Sequence, residues 1–294
     1  MYQTHDLLMI QNRFPTELAC RKYLERLRWS EGFRCPRCGH TKAGRIQTRS
    51  LHRCVKCHRD VSLTAGTLFH KTRVPLKKWF WLILLMSRNK HGISILEAQR
   101  LLGIGSYETA WLMSHKIRSA MARRDTRYKL AGLIELDEAY FGGKRRPKRP
   151  VLVAVSKTER GSAAFSRMQA VTQVTCDQVR SLAKESIQSD GSQIITDGKR
   201  IYPPLTEVGF QHTFHVLRSP EKASVFLPLV HLVIANVKRF LQGTHHRETP
   251  KHLQRFLDEF TYRFNRRWQN GQLFDRLLTA CVSASSVTFG ELKG

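Results

Sequence analysis

The chain of 294 residues is predicted to be an α+β protein of several domains. Two close cysteine pairs lie among short Thr-, Ser- and Val-rich segments near the N-terminus. Apolar residues then recur every three or four positions without proline, which indicates helices. Short β-branched segments and two closing helices follow. The predicted division is a cysteine-rich module at 14–70, a helical region at 71–126, a mixed α/β domain at 127–270 and a C-terminal tail at 271–294.

The charge balance is strongly basic. Lysine and arginine number 50 against 23 acidic residues, so the formal net charge is +27. This excess argues against an ordinary metabolic enzyme and favours a polyanionic partner, which is nucleic acid or, as the alternative, an anionic membrane surface. Hydrophobic residues make up 41% of the chain, which is typical of a folded protein.

Targeting signals and cysteine usage bear on the compartment. No signal peptide is readable at the N-terminus, and the longest apolar run, residues 79–86, is shorter than the roughly 20 residues of a membrane span. The cysteine count of seven is odd, which argues against a disulfide framework. A cytoplasmic protein without a membrane partner is therefore expected.

The cysteine pairs have the spacing of a zinc ribbon. Two C-x2-C turns are separated by fifteen residues and supply four thiolates: Cys35, Cys38, Cys54 and Cys57. A complete shell of four thiolates leaves no open coordination position, so the predicted Zn²⁺ is structural. The alternatives are four incidental cysteines, or replacement of one ligand by a nearby histidine (His40, His52 or His58).

The helical region resembles a helix-turn-helix. Residues 93–102 and 106–123 flank a glycine-containing break, and Ser106 can cap the second helix. In such a unit the second helix enters the major groove, so Lys116 and Arg118 are candidate phosphate contacts. A plain helical hairpin packed on a neighbour is the alternative.

Two aspartates stand at predicted strand ends. Asp137 lies near the end of the strand that starts at Leu133, and Asp197 ends the strand that starts at Gln193. Carboxylates at neighbouring strand ends can hold the divalent metal that activates attack on phosphodiesters. Taken alone, each aspartate is as readily a cap or an ion-pair partner.

Four segments together resemble bacterial insertion-sequence transposases of the ISXO type, which join an N-terminal zinc ribbon to an RNase H-like DDE catalytic domain. The segments are Ile134–Lys144, Ile195–Gly198, Lys238–His246 and Leu257–Arg267. The resemblance implies an RNase H-like (DDE integrase-type) α/β domain. It also implies that Asp137 and Asp197 are the first two ligands of catalytic Mg²⁺ or Mn²⁺. The third ligand and a following basic residue are expected from the helix at 224–242.

That helix departs from the family pattern, because it contains no acidic residue. His231 and Asn236 are the candidates for the third position. His231 and Lys238 are seven residues apart and point nearly the same way, which favours His231, while Asn236 flanks the other edge of the apolar stripe. Imidazole suits Mn²⁺ better than Mg²⁺. Lys238 completes the candidate catalytic set.

Other basic residues are candidate DNA contacts. The loop after Gly142 carries Lys144, Arg145, Arg146, Lys148 and Arg149, and the last predicted helix carries Arg263, Arg266 and Arg267. Glu138 is expected on the opposite face of its strand from Asp137 and in a structural or solvent-facing role.

The hypothesis that follows is a nucleoid-associated bacterial DNA transposase. It would bind the terminal inverted repeats of its element, cleave DNA with a divalent metal and join the freed 3′ hydroxyl to target DNA. Double-stranded DNA is then the partner, and pairing of two ends implies a homodimer or larger assembly. The first alternative is a non-catalytic zinc-containing DNA-binding protein. The second is a nuclease on the same fold.

Overall fold

The computed structural model describes residues 4–46, 51–142, 148–215, 225–245 and 250–293. The chain forms two compact units, the first made of Met1–Met121 with Gln269–Gly294 and the second of Ala122–Trp268. Across the part of the chain that the structure describes, no helix is long and apolar enough to cross a membrane. The four-part division expected from the sequence stays a prediction.

The first unit is built around a helical core. Its helices are α1 (Thr4–Arg13), α2 (Glu17–Arg28), α3 (Leu76–Arg88), α4 (Ile95–Leu102), the first part of α5 (Tyr107–Asp125), α10 (Leu273–Ser283) and α11 (Phe289–Lys293). Phe14 lies 5.0 Å from the ring of Phe80 and 5.8 Å from that of Phe274. Asp275 accepts hydrogen bonds from Arg13 at 2.9 Å and Tyr23 at 2.6 Å. Helix α10, from the expected tail, is therefore part of this core.

A small antiparallel sheet carries the cysteine pairs. Its strands are β1 (Ala43–Ile46), β2 (Leu51–Cys54) and β3 (Asp60–Ser62), with β2 in the centre. Arg28 at the end of α2 donates to the backbone carbonyls of Ser62 at 2.8 Å and Ala65 at 2.5 Å. These bonds hold the turn after β3 against α2. The sequence prediction of short hairpins is borne out, although α2 inside the same range was not anticipated.

The predicted pair of helices is present as α4 and α5. Ser94 accepts a hydrogen bond from the backbone N–H of Glu97 and so caps α4. Gly103 ends α4 in the left-handed conformation, with φ of 56°, which glycine adopts without steric cost. Ser106 accepts from the N–H of Thr109 at 3.1 Å, so the expected cap of the second helix is observed.

The second unit contains a five-stranded sheet. Its strands are β4 (Leu133–Phe141), β5 (Arg149–Lys157), β6 (Ala163–Ala170), β7 (Gln193–Asp197) and β8 (Gln211–His215), in the order β6-β5-β4-β7-β8. The first three strands are antiparallel, and β7 and β8 run parallel to β4. This arrangement is the RNase H-like one, so the predicted fold class is confirmed.

Helices cover both faces of this sheet. They are α6 (Cys176–Ser186), α7 (Pro204–Glu207), α8 (Pro228–Thr244) and α9 (Leu253–Phe264). Alternate residues of β5, such as Val153 and Ala154, belong to different cores. One core packs the sheet against α8 and α9, and the other packs it against α6 and α7. By the same alternation, Asp137 of β4 faces α8 and Glu138 faces the α6 side.

Strand β8 was not predicted. Its sequence, QHTFH, is mostly polar, and its residues are exposed or half-buried. It is the edge strand beside β7, and an edge strand needs no continuous apolar pattern because it packs few side chains. Pairing with β7, and not intrinsic hydrophobicity, makes this segment a strand.

Candidate metal centres and DNA contacts

The four cysteines of the ribbon converge on one point. Each pair lies in a tight turn, in which Gly39 N–H donates to the Cys35 carbonyl at 2.9 Å and His58 N–H donates to the Cys54 carbonyl at 3.0 Å. Gly39 and His58 adopt positive φ values of 71° and 56° to close these turns. The turns point two thiols of each pair toward the other pair.

The sulfur geometry fits a tetrahedral metal. All four Sγ atoms lie within 4.8 Å of one another. Cys35 Sγ is 3.6 Å from Cys57 Sγ, and Cys38 Sγ is 3.6 Å from Cys54 Sγ. Tetrahedral zinc with bonds of about 2.3 Å places its sulfur ligands about 3.8 Å apart. The cluster therefore has the size needed for one metal ion, and its ligands fill the whole shell.

Asp137 and Asp197 lie side by side on the second sheet. Parallel pairing of β4 and β7 sets Ile134 opposite Ile194 and Glu135 opposite Ile195, so continuing the register puts the two aspartates opposite each other. Both are buried, with exposed fractions of 7% and 9%. Ile195, two residues before Asp197, packs in the core beneath α8. The alternation of strand residues therefore aims both carboxylates at the α8 side of the sheet.

Glu135 fixes the start of α8 over these aspartates. Its Oε2 accepts hydrogen bonds from the N–H groups of Leu229 at 2.8 Å and Val230 at 2.9 Å. A carboxylate at a helix N-terminus satisfies donors that have no partner within the helix and is favoured by the helix dipole. Burial raises the pKa of Glu135, while the two N–H groups oppose that shift. Glu135 was not singled out from the sequence.

This contact brings His231 into the site. His231 Nε2 lies 3.6 Å from Asp137 Oδ2. Asn236 lies further along α8, where its Oδ1 accepts a hydrogen bond from Arg239 at 3.1 Å. Lys238 is exposed, with Nζ 5.9 Å from the ring centroid of Phe141 on β4. Of the two candidates for the third position, the structure places His231 against Asp137.

A lysine that the sequence analysis missed also enters the site. Lys199 Nζ is 2.8 Å from Asp197 Oδ2 and 3.9 Å from Asp137 Oδ1, and it also contacts Glu138 Oε1. Glu138 Oε2 accepts a hydrogen bond from Tyr202 at 2.7 Å. The expected opposite orientation of Glu138 is observed, and its role is to pair with Lys199 and Tyr202. The position of Lys199, two residues after a strand-end aspartate, was the available signal.

The electrostatics of the site suit a cation. Burial, the neighbouring Glu138 and Asp197 raise the pKa of Asp137 to about 7, although Lys199 opposes the shift. Burial lowers the pKa of His231, and Lys238 adds to that effect. A neutral imidazole offers a lone pair, and within the described residues His231 Nε2 is buried without a hydrogen-bond partner. Carboxylate oxygens and an imidazole nitrogen are donor types that bind divalent metals.

Two proposed DNA contacts on α5 are corrected by the structure. Arg118 is fully buried, and Lys116 is 9% exposed. Burial lowers the pKa of Lys116. Helix α5 is buried on several sides, so both residues point into the protein. Neither side chain can reach a phosphate in this conformation.

Arg263 in α9 and Arg266 and Arg267 after it make contacts within the second unit, and their expected DNA contacts stay a prediction. Arg266 is buried and pairs with Asp125 at 2.7 Å. Arg263 is 9% exposed, and its guanidinium lies 4.9 Å from the ring of Phe240. Arg267 donates to the carbonyl of Ala164 at 3.0 Å and so binds the edge of β6. These three arginines hold the fold together.

The structure describes only part of the basic loop after Gly142. Lys148 is exposed and Arg149 half-buried at the start of β5. Lys144, Arg145 and Arg146 lie outside the described residues. Lys148 is therefore accessible, and its contact with DNA stays a prediction.

Known proteins match both halves of the chain. Residues 15–60 match the transposase zinc-ribbon domain, and residues 129–265 match the ISXO2-like transposase domain. A protein in the transposable element ISH50 of Halobacterium salinarum is 25% identical over 216 residues, which cover 66% of this chain and 71% of the relative.

Solved structures show weaker similarity. The catalytic domain of Mos1 mariner transposase has a TM-score of 0.33 and 13% identity, covering 58% of this chain and 92% of that domain. The catalytic core domain of BIV integrase has a TM-score of 0.30 and 14% identity, covering 44% of this chain and 81% of that domain. The family assignment rests on the sequence matches: this chain joins a transposase zinc-ribbon domain to a domain of the ISXO2-like transposase family.

Proposed function

We propose that this protein is a catalytically active DNA transposase whose reaction centre consists of Asp137, Asp197 and His231. The observation that carries the proposal is the convergence of these residues at one end of the sheet, with His231 Nε2 3.6 Å from Asp137 Oδ2. The ISXO2-like domain match covers the same residues. An incidental pair of strand-end carboxylates would not require a helix to be held over them by Glu135.

Each residue of the centre has a separate task. Asp137 and Asp197 would hold Mg²⁺ or Mn²⁺ from the floor of the site, and His231 would supply a nitrogen from α8. A divalent metal in such a site activates the attacking oxygen and stabilises the leaving oxygen of a phosphodiester. By accepting hydrogen bonds from the first turn of α8, Glu135 holds the helix in the position in which His231 lies close to Asp137. Imidazole favours Mn²⁺ over Mg²⁺, so we expect higher activity with Mn²⁺.

The first unit would bind the DNA ends. The thiolate cluster would hold structural Zn²⁺, and the ribbon with helices α4 and α5 would contact the terminal inverted repeats. The net charge of +27 supports association with DNA. Lys148, with Lys144, Arg145, Arg146 and Arg149, would contact backbone near the centre. Joining two ends in one reaction requires a homodimer or larger assembly.

A cleavage assay tests the proposal. The full chain is incubated with a supercoiled plasmid carrying the flanking inverted repeats and with Mg²⁺ or Mn²⁺. Nicks confined to the ends, followed by joined products, are expected for the wild type, and Asp197→Asn should abolish both. Asp190→Asn, an exposed aspartate of the same unit, is the matched control.

One observation favours a second function. Because α8 supplies a histidine and no carboxylate, the chain can instead be a DNA-binding protein without catalysis. In that case the assay yields a mobility shift on inverted-repeat DNA and no cleavage with either metal. Nicks without preference for the ends would indicate a nuclease.

A further inference from the structure

Lys199 lies where a cation is needed in the proposed reaction centre. Its Nζ is 2.8 Å from Asp197 Oδ2 and 3.9 Å from Asp137 Oδ1. The side chain of Lys199 is 49% exposed, so it approaches the two buried carboxylates from solvent. It can therefore leave them without unfolding the site.

The same ammonium has a second anchor outside the proposed metal ligands. It contacts Glu138 Oε1, and Glu138 extends to the opposite face of β4 from Asp137. The other oxygen of Glu138 accepts a hydrogen bond at 2.7 Å from Tyr202, which is fully buried. Tyr202 fixes Glu138 independently of any metal. Lys199 therefore contacts two carboxylates that a metal would bind, those of Asp137 and Asp197, and one that it would not bind, that of Glu138.

We propose that Lys199 is a built-in counter-ion that competes with the metal for Asp137 and Asp197. Once displaced, it stays on Glu138 at the rim, where it meets a DNA phosphate. This inference rests on the proposed function. Without a metal, the lysine charge offsets the repulsion between three neighbouring carboxylates. When a metal binds, the ammonium leaves Asp197, and the positive charge at the rim becomes available to the DNA backbone.

The competition is tested by Mn²⁺ binding. Electron paramagnetic resonance of free Mn²⁺ gives the affinity of the full chain, with its zinc retained, for wild type and Lys199→Met. Loss of a like charge about 4 Å from the metal position should raise the affinity by about tenfold. Lys199→Arg should stay near wild type, and Lys184→Met, an exposed lysine on α6, is the control. Unchanged or weaker binding in Lys199→Met overturns the competition.

Thermal melting checks that the effect comes from the charge. Without Mn²⁺, Lys199→Met should melt a few degrees below wild type, because its carboxylates lose their counter-ion. Saturating Mn²⁺ should remove this difference. A melting deficit that persists with Mn²⁺ would mean that Lys199 serves the fold and not the metal site, which contradicts the proposal.

The tether is tested with DNA. Binding of an inverted-repeat duplex is measured with Ca²⁺ in place of the catalytic metal for Lys199→Met, Glu138→Gln and the double variant. Each single change should weaken binding several-fold, and the double variant should be no weaker than Lys199→Met, because both changes remove one contact. Additive losses overturn the tether.

Failure of this inference differs from failure of the proposed function. If wild type binds Mn²⁺ and Asp197→Asn does not, the metal site stands, and the Lys199→Met result alone decides the role of Lys199. If wild type binds no Mn²⁺ at this site, or if Asp197→Asn binds it equally well, the proposed reaction centre itself is wrong.

Discussion

The thiolate cluster of the ribbon and the acidic centre, which is the proposed reaction centre of Asp137, Asp197 and His231, differ in how their ligands are brought together. The cluster takes four sulfurs from two tight turns within residues 35–57, and they surround one position within 4.8 Å. The acidic centre takes its groups from β4, β7 and α8, spread over residues 137–231. A shell made by local turns is closed and suits a structural metal. The acidic centre offers three groups, which would leave coordination positions for substrate oxygens.

The largest effect should follow from breaking the closed shell. Cys54→Ser removes a buried thiolate, and the ribbon should lose its metal and unfold, since structural zinc contributes on the order of 10 kcal/mol to such small modules. Metal content by atomic emission should fall from one zinc per chain to near zero. Cys176→Ser, outside the cluster, should retain it.

The same variant shows whether the ribbon unfolds without the second unit. Limited proteolysis of Cys54→Ser should cut within residues 30–60 and leave 122–268 protected. Retention of zinc in Cys54→Ser would show that another side chain, such as His52, completes the shell.

The next largest effect is expected from removing His231 from the acidic centre. His231→Ala should lower DNA cleavage by about 10- to 100-fold, because it removes a nitrogen beside Asp137. Asn236→Ala should cleave at near the wild-type rate, since Asn236 bonds Arg239 instead. The measurement is the initial rate of end nicking with Mn²⁺. Loss of activity only in Asn236→Ala would reverse the assignment of the third position.

A smaller effect is expected from pH in the second unit. Burial raises the pKa of Asp258 to about 7, although a hydrogen bond from Gln254 at 2.8 Å opposes the shift. An acid with a raised pKa holds its proton longer in the folded than in the unfolded chain, so folding stability falls as pH rises from about 4 to about 7. Urea unfolding at a series of pH values should show this loss of stability.

Asp258→Asn isolates that contribution. The difference in unfolding free energy between Asp258→Asn and wild type should grow in favour of the variant across the same pH window. The exposed Asp190→Asn should run parallel to wild type. A variant whose stability falls with pH as steeply as wild type would mean that Asp258 ionises normally.

The smallest effect concerns single DNA contacts. Lys148→Ala should reduce the slope of log affinity against log salt by about 0.9, the value for one phosphate contact. Lys116→Met should leave the slope unchanged, because Lys116 is buried. Fluorescence anisotropy with an inverted-repeat duplex at several salt concentrations gives both slopes. An equal change in the two variants would show that α5 turns Lys116 outward on DNA.

Much of the fold could be predicted from local patterns. The segments that begin at Leu133 and Gln193 were predicted as strands from their apolar and β-branched residues, and the structure has them as β4 and β7. Strand β8 and helices α10 and α11 were missed. Strand β8 lacks an apolar pattern. The tail was not predicted to be helical, although apolar residues of α10 pack beside α3.

The burial of several basic residues was not predicted from the sequence. Arg266 was expected on DNA, yet it pairs with Asp125 inside the second unit. A run of positive charge in a sequence does not tell which side chains a helix turns inward. For long side chains, burial depends on the neighbours that cover them.

The amino-acid sequence by itself determined the two cysteine turns and the two strand-end aspartates, because each depends on spacing within one turn or one strand. Only the tertiary structure decided that His231 meets Asp137, that Lys199 lies between the carboxylates and that Arg118 is buried. These contacts join residues far apart in the chain. They exist because β7 pairs with β4 and because Glu135 holds the start of α8 above both strands.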